Sequence, residues 1–297
     1  MLGIVNLDKP VGPTSHDMVG LLRRLTGTRR IGHAGTLDPL ASGVLPILVG
    51  AATRFSEELT GGRKRYDAVI RLGIRSATDD GQGPLEPSGA PLPSVDEVAA
   101  ELARLVGTFE QRPPAYSARK QAGRVAHRAA RAGDPLELPP RPVTVDAVEL
   151  LGSEIGDGWL DVRIDLRCGP GTYVRAIARD VGERLGCGGY LHALRRTEAA
   201  GLRVDDAVSP ERLEELAGAG RLEEAILPIA GLLSLPRVQL DAIDADRFRH
   251  GSPIRVRPEP GPDGRMAVFD ADQLLGVGTL RAGLLQPDKV LASQGAE

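Results

Sequence analysis

Two segments of the chain alternate apolar and polar side chains, which is the pattern of a β-strand with one buried face. In residues 66–72, Tyr66, Ala68, Ile70 and Leu72 fall on one face and Asp67, Val69 and Arg71 on the other, and residues 160–167 interleave aliphatic with charged residues. Strands that are buried on one face and wetted on the other are typical of antiparallel sheets. The pattern therefore predicts an antiparallel sheet that contains both segments.

Helices are indicated by polar start signals followed by apolar residues three or four positions apart. Thr14-x-x-Asp17 forms a variant of the capping box, and the helix that it begins is predicted to end at Gly27. Ser94-x-x-Glu97 begins a second helix in the same way. Antiparallel strands mixed with peripheral helices predict an α+β fold with a mixed, largely antiparallel sheet.

The sequence pattern predicts that the last quarter of the chain is a separate unit. Residues 227–236 have the composition of a linker, and short predicted strands joined by tight turns follow it. We therefore expect a large domain over residues 1–230 and a small C-terminal domain over 231–297. From the residues alone, this second unit is either a small binding barrel or a capping subdomain.

The composition of the 297 residues is that of a globular protein with 41% hydrophobic residues. Apolar runs stay well short of the roughly 20 residues that cross a bilayer, and no secretory leader is expected before the first motif. Cys168 and Cys187 form neither a CxxC pair nor a disulfide framework, which predicts a reducing, cytoplasmic environment.

The net charge of −3 does not by itself indicate a nucleic-acid partner, but charge is unevenly distributed. Residues 111–141 hold seven arginine and lysine residues against Asp134 and Glu137. Such a run is either a solvated helical face or a surface that follows a phosphate backbone. The residues alone leave both interpretations open.

The run Gly32-His-Ala-Gly-Thr-Leu-Asp38-Pro-Leu-Ala-Ser-Gly43 is the strongest candidate for chemistry. Its glycines and proline predict a loop, and an apolar strand follows it. Asp before Pro is a common way to begin a turn, and a carboxylate on a loop between packed elements is also a common way to present a reactive group. Spacing alone does not choose between these interpretations.

Other chemical motifs are weaker. The five histidines lack metal-ligand spacing, so we expect neither a metal nor an organic cofactor. Gly169-Pro-Gly-Thr-Tyr-Val174 follows a strand in the manner of a dinucleotide fingerprint. However, Val174 stands where the third glycine belongs and the preceding strand alternates, which argues against a nicotinamide or flavin enzyme.

Several blocks, in order from residue 3 to about residue 200, resemble the TruB family, the tRNA pseudouridine-55 synthases. The Asp38 run looks like the family's signature, and the block with Arg175 looks like its arginine block. The full set is Asn6-Leu-Asp-Lys-Pro10 with Gly12 and Thr14-Ser-His-Asp17, Gly32–Pro39, Lys64-Arg-Tyr-Asp-Ala68 with Leu72-Gly73, Gly171-Thr-Tyr-Val-Arg175 with Asp180 and Gly182, and Leu194-Arg-Arg-Thr197. The departures are small, with Ser76 at a position where Thr is more usual and a C-terminal segment that is only loosely similar.

The resemblance implies a fold of the pseudouridine-synthase type and assigns roles to individual residues. Asp38 would be the catalytic carboxylate and would pair with Arg175, remaining ionised. Tyr66 would stack on the target base and contribute to proton handling at C5. Tyr173 and Leu194 would line the same pocket, whereas Lys9 and Pro10 look structural.

The resemblance also implies the partner. His33 would help to receive the tRNA T-loop when the uridine flips out of its helix. The basic insertion over residues 111–141 would grip the T-arm, with Arg124 and Arg128 as phosphate contacts. The C-terminal unit would be a PUA-like RNA-binding domain, and the enzyme would act as a monomer without protein partner, membrane or cofactor.

The chemistry of this reaction agrees with such a residue set. Converting uridine to pseudouridine breaks the N1–C1′ bond and forms a C5–C1′ bond without net redox change, and a carboxylate beside the sugar can serve as nucleophile or base. Two alternatives remain. One is a related synthase that works inside a guide-RNA complex, against which the basic insertion argues. The other is a non-catalytic RNA chaperone, against which the presence of Asp38, Tyr66 and Arg175 argues.

Overall fold

The computed structural model of the protein describes residues 1–117, 119–121, 123–256 and 263–291. Ala118 and Ala122 of the predicted insertion, and residues 257–262 and 292–297 of the predicted C-terminal domain, lie outside the described residues. The first part of the chain forms one large sheet and two short hairpins. Their strands are β1 (Gly3–Lys9), β2 (Ile31–His33), β3 (Ala41–Val49), β4 (Lys64–Leu72), β5 (Ile74–Ser76), β6 (Leu85–Pro87), β7 (Gly107–Gln111), β8 (Lys120–Gln121), β9 (Arg124–Val125), β10 (Arg141–Gly156), β11 (Trp159–Cys168), β12 (Gly189–Ala199) and β13 (Leu202–Arg203).

Helices flank this sheet, and a second sheet follows it. The helices are α1 (Ser15–Thr26), α2 (Ser56–Thr60), α3 (Val95–Ala103), α4 (Ala126–Arg131), α5 (Val174–Arg184), α6 (Pro210–Gly218) and α7 (Ala242–Arg249), with short 3₁₀ turns at Gly50–Phe55, Val204–Asp206, Leu222–Ala225 and Ile229–Leu232. The strands of the second sheet are β14 (Arg237–Leu240), β15 (Ile254–Arg255), β16 (Gly264–Asp270), β17 (Gln273–Arg281) and β18 (Leu284–Val290).

The large sheet has the strand order β1-β3-β12-β4-β11-β10-β7, with β2 on β3 and β13 on β12. Its pairs are antiparallel except for β12 and β3, which run parallel through Leu194–Arg196 and Ala41–Gly43. This confirms the predicted α+β fold with a mixed, largely antiparallel sheet. The parallel pairing also brings Leu194 to the loop that precedes β3.

The local elements follow the predicted patterns. Strand β4 buries Tyr66 and every second residue after it, and β11 buries the aliphatic positions opposite. On the outer face, cross-strand ion pairs such as Arg71 with Asp161 stabilise the register. Both predicted capping boxes are present, and helix α1 ends at Gly27 in the left-handed region, with φ of 69°.

The second sheet has the order β14-β16-β17-β18-β15, and α7 packs against it around Phe248. The Glu58 carboxylate on α2, almost fully buried, pairs with Arg265 and Lys289 of this sheet. The prediction that residues 227–236 form a linker was wrong. Ile229 and Leu233 in this segment are apolar and pack into a core shared with the first sheet, because burying them removes apolar surface from water.

Candidate active site

Loops from distant parts of the chain enclose a cavity of about 530 Å³. It lies between the loop before β3, the beginning of β4, the loop after β5, the insertion and the first turn of α5. Five of the predicted site residues line it: Asp38, Tyr66, Tyr173, Arg175 and Leu194. The remaining three, His33, Arg124 and Arg128, are not among its lining residues.

The Asp38 loop is fixed from two sides. The hydroxyl of Ser15, at the start of α1, donates to the Leu37 carbonyl at 2.9 Å and accepts from the Leu37 amide at 2.8 Å. At the other end, Gly43 has φ of 99°, and a Cβ there would lie 2.2 Å from the Arg196 carbonyl oxygen. Glycine is therefore required where β3 pairs with β12. The loop presents the Asp38 side chain partly exposed, at 37%.

Arg175 joins four groups around the cavity. Its Nε lies 2.9 Å from Asp38 Oδ2, an ion pair in which the N–H does not point directly at the oxygen. Its Nη1 donates to the Thr78 carbonyl at 3.2 Å and lies 3.5 Å from Asp80 Oδ2, and its Nη2 donates to the Tyr116 carbonyl at 3.0 Å. The expected pairing of Asp38 with Arg175 is thus present.

Arg175 is 5% exposed, so the charge of its guanidinium depends on these partners. They also explain why an arginine is tolerated in the first turn of a helix, where the dipole disfavours positive charge. Asp80 was not among the residues predicted from the sequence. The only local signal was a pair of adjacent aspartates in a loop without a family block, which does not predict a buried carboxylate.

Tyr66 and Arg196 form the floor of the cavity on neighbouring strands. They are register partners, with Tyr66 on β4 and Arg196 on β12. Burial raises the pKa of the Tyr66 hydroxyl, and the nearby Arg196 charge opposes that rise in pKa. Burial lowers the pKa of Arg196, which is 1% exposed. It donates to three carbonyls, those of Val44 at 2.7 Å, Gly35 at 3.0 Å and Thr36 at 3.4 Å.

Two lysines lie close to the site, the buried Lys9 and the half-buried Lys64. Lys64 lines the cavity, and its Nζ donates to the carbonyls of Thr60 at 2.8 Å and Gly62 at 2.7 Å. Burial lowers the pKa of Lys64 to about 8. Burial likewise lowers the pKa of Lys9 to about 8, although the charge of Asp38 opposes this. Lys9 binds the carbonyls of Pro10 and Pro13, both at 2.8 Å, as a structural residue does.

His33 lies on β2 opposite Ile47, outside the cavity lining. Its ring is partly buried, and its Nδ1 has no hydrogen-bond partner among the described residues. Burial lowers the pKa of His33, and the positive charge of Arg196 lowers it further. The neutral imidazole is therefore favoured near pH 7.

The insertion forms one wall of the site. It contains the β8–β9 hairpin and α4, and its residues Tyr116, Ser117, His127 and Arg131 line the cavity. Arg124 and Arg128 are exposed outside it, and Arg124 pairs with Asp134 at 2.7 Å. The positive charge of this segment is visible in the sequence, but the sequence does not indicate which of its residues face the cavity.

Over the described part of the chain, no group of three or more histidine, cysteine or carboxylate side chains is placed to hold a metal ion. No helix in the same ranges is both long and apolar enough to cross a membrane.

Family models match nearly the whole chain in consecutive order. Residues 23–174 match "TruB family pseudouridylate synthase (N terminal domain)". Residues 175–234 match "tRNA pseudouridylate synthase B C-terminal domain", and residues 236–291 match "Pseudouridine synthase II TruB, C-terminal".

Curated relatives are similar over almost their full length. A protein of Burkholderia mallei (strain NCTC 10247) named "tRNA pseudouridine synthase B" is 41% identical over 98% of this chain and 97% of its own. A protein of Ralstonia pickettii (strain 12J) with the same name is 38% identical over 97% and 94%.

Among solved structures, a chain of "Crystal Structure of a Cbf5-Nop10-Gar1 Complex" matches with a TM-score of 0.74, at 24% identity over 97% of this chain and 84% of that one. A chain of "Structure of H/ACA RNP bound to a substrate RNA containing 2'-deoxyuridine" matches with a TM-score of 0.75, at 23% identity over 99% and 86%. At this identity, the likeness concerns the fold.

Proposed function

The chain belongs to the TruB family of pseudouridine synthases, and from that membership we propose that it isomerises the T-loop uridine of tRNA, U55, to pseudouridine. The observation that carries the proposal is the cavity in which Asp38, Tyr66 and Arg175 meet. The names of the curated relatives support tRNA as the substrate. The reaction is an isomerisation, so it consumes no second substrate.

Asp38 is the catalytic carboxylate in this proposal. The enzyme must break the N1–C1′ bond, turn the uracil, join C5 to C1′, release the C5 proton and protonate N1. A carboxylate next to the ribose can act as nucleophile or as base in this sequence. The partial exposure of Asp38 at the cavity supports this role, and the contacts of Arg175 hold the carboxylate toward the cavity.

Tyr66, Tyr173 and Leu194 receive the base after it has left the RNA stack. An aromatic ring and an aliphatic side chain suit a flipped base, because stacking and apolar contact replace what the base loses on leaving its helix. Burial raises the pKa of Tyr66, so its hydroxyl keeps its proton at neutral pH. Tyr66 thus has a hydroxyl available for proton handling at C5.

The basic insertion binds the T-arm. Arg124 and Arg128 are exposed and stand on the segment that forms one wall of the cavity, where they can reach phosphates. His33 lies beside the Asp38 loop and assists entry of the T-loop. We assign residues 1–230 to the catalytic domain and residues 231–297 to a PUA-like RNA-binding domain, an assignment supported by the separate five-stranded sheet.

The enzyme acts alone in this proposal, as a monomer in the cytoplasm, where tRNA is modified. The alternative is a synthase that works inside a guide-RNA complex. Two of the similar solved structures are themselves complexes, a Cbf5-Nop10-Gar1 complex and an H/ACA RNP bound to a substrate RNA. The curated relatives are much more similar and carry the tRNA name, which favours stand-alone action. A non-catalytic chaperone is disfavoured by the assembled Asp38–Arg175 pair.

Mapping of pseudouridine in bare tRNA incubated with purified protein tests the proposal. Asp38→Asn should bind tRNA but form no pseudouridine, because the amide keeps the shape and loses the charge and nucleophilicity. Asp67→Asn is the matched control, since Asp67 pairs with Arg163 on the outer face of the sheet. Substantial turnover by Asp38→Asn, or modification only after guide RNA is added, would contradict the proposal.

A further inference from the structure

The strand that leads into the insertion ends in a buried glutamine. Gln111, the last residue of β7, is 1% exposed. Its side-chain amide binds both polar groups of the Tyr173 backbone: Nε2 donates to the Tyr173 carbonyl at 3.1 Å, and Oε1 accepts from the Tyr173 amide at 2.9 Å. A buried side-chain amide that uses both its donor and its acceptor on one residue makes a specific contact, and does more than fill space in the core.

Tyr173 is the N-cap residue of α5, the helix that carries Arg175. In α1 and α3 the carboxylate at the third helical position, Asp17 or Glu97, accepts a hydrogen bond from the N-cap amide and so closes a capping box. The third position of α5 is Ala176, whose side chain cannot accept a hydrogen bond. Gln111 supplies this acceptor from another part of the chain.

The beginning of the insertion meets the same helix at two further points. Arg179 Nη2 donates to the Arg112 carbonyl at 3.0 Å, and Arg175 Nη2 donates to the Tyr116 carbonyl at 3.0 Å. Residues 111–116 are thus attached along α5 over the two turns that contain Arg175. The orientation of the guanidinium toward Asp38 depends on the position of this segment.

We propose that Gln111 is a positioning residue for the isomerisation, which acts through Arg175 and joins the insertion to the catalytic carboxylate. The proposal rests on the proposed function. Gln111 fixes the first turn of α5, and the first turn fixes Arg175 against Asp38. A segment that binds RNA is thereby attached to the group that orients the catalytic residue.

A double-mutant cycle on the full chain tests this role. Gln111→Met keeps the length and most of the volume of the side chain and removes both hydrogen bonds. We expect the single-turnover rate constant to fall roughly 10- to 100-fold, because small misplacements of catalytic groups cost about this much, while the affinity for tRNA changes little. In the Arg175→Lys background the same substitution should have almost no further effect on the rate. Thr108→Ala, which removes a side-chain hydrogen bond from the same strand, is the matched control and should behave like the unchanged protein.

Two results overturn the proposal: an unchanged rate in Gln111→Met, or an equal loss in both backgrounds, which would indicate a structural effect independent of Arg175. If Gln111→Met does not fold, Gln111→Glu takes its place in the cycle. It keeps the acceptor for the Tyr173 amide and loses the donor to the Tyr173 carbonyl, so we expect a smaller loss of rate that is again absent in the Arg175→Lys background. Hydrogen exchange of residues 171–180 separates this proposal from the proposed function. If the unchanged protein forms no pseudouridine, the proposed function fails. Faster exchange of these amides in Gln111→Met would still support the contact between Gln111 and the first turn of α5, whereas unchanged exchange would refute it.

Discussion

Replacing Arg196 by lysine keeps a positive charge beneath the cavity but removes a planar set of donors. The guanidinium binds the carbonyls of Val44, Gly35 and Thr36, and two of these belong to the loop that carries Asp38. An ammonium group at the end of a flexible stem reaches one or at most two of them. We therefore expect Arg196→Lys to leave at least one of the three carbonyls without its charged donor and to weaken the hold on this loop.

The size of the effect follows from these hydrogen bonds. A hydrogen bond to a charged group contributes about 1.5–3 kcal/mol, and the bond to Thr36 at 3.4 Å is the weakest of the three. Loss of one strong and one weak bond should lower the free energy of unfolding by about 2–4 kcal/mol. The loosened Asp38 loop should also reduce kcat by about tenfold or more, with a smaller effect on tRNA affinity.

Urea unfolding followed by the fluorescence of Trp159, the only tryptophan of the chain, measures the stability change, and single-turnover pseudouridine formation measures the change in rate. Arg195→Lys is the matched control, since Arg195 pairs with Asp8 and its side chain is 42% exposed. Such an exposed pair is worth about 0–1 kcal/mol. Equal destabilisation by the two substitutions would refute the reasoning.

Three other predictions concern the base pocket, the insertion and the loop beside Arg175. If the hydroxyl of Tyr66 handles the C5 proton, Tyr66→Phe should still bind tRNA but form pseudouridine at least about 100 times more slowly. Near-normal rates for both Tyr66→Phe and Tyr66→Leu would remove Tyr66 from the mechanism. The double variant Arg124→Ala/Arg128→Ala should have a shallower slope of log binding constant for tRNA against log salt concentration, by roughly 0.7–0.9 for each phosphate that it no longer neutralises. An unchanged slope would show that these arginines only face solvent. Burial raises the pKa of Asp79 from 3.8 to about 6, although Arg179 opposes this. Between these pH values the folded state holds the Asp79 proton that the unfolded state has already released, so the stability contributed by this proton is lost as the pH rises from about 4 to about 6. Over that window, Asp79→Asn should gain stability relative to the unchanged protein in urea titrations. A stability difference that stays constant with pH would contradict the raised pKa of Asp79.

The strands around the site could be predicted because their patterns are local. The alternation in residues 66–72 placed Tyr66 on the buried face of β4, and the capping box at Thr14 placed the start of α1. The pairing of Asp38 with Arg175 was also expected, through the resemblance to a family rather than through spacing. The structure adds the distances and the burial of the arginine.

The remaining interactions could not be predicted because their partners are remote in sequence and chemically ordinary. Asp80 reaches Arg175 across 95 residues, from a loop whose composition indicates only a turn. Gln111 lies in a short strand with no distinctive pattern, and its partner is a backbone group, which no sequence motif describes. The packed segment around Ile229 has the composition of a linker because proline and glycine interrupt its apolar residues.

The hydrogen bond between Arg196 and the Gly35 carbonyl closes a loop of the chain, since the two residues are 161 positions apart. The Asp38 loop has this support only when β12 lies in the sheet beside β3, and we expect contacts between residues so far apart in sequence to form slowly during folding. A fragment that stops before β12 therefore carries the carboxylate without the floor that supports it. During synthesis on the ribosome, a chain of the first 190 or so residues still lacks most of β12, so we expect catalytic competence only after this strand has emerged and joined the sheet.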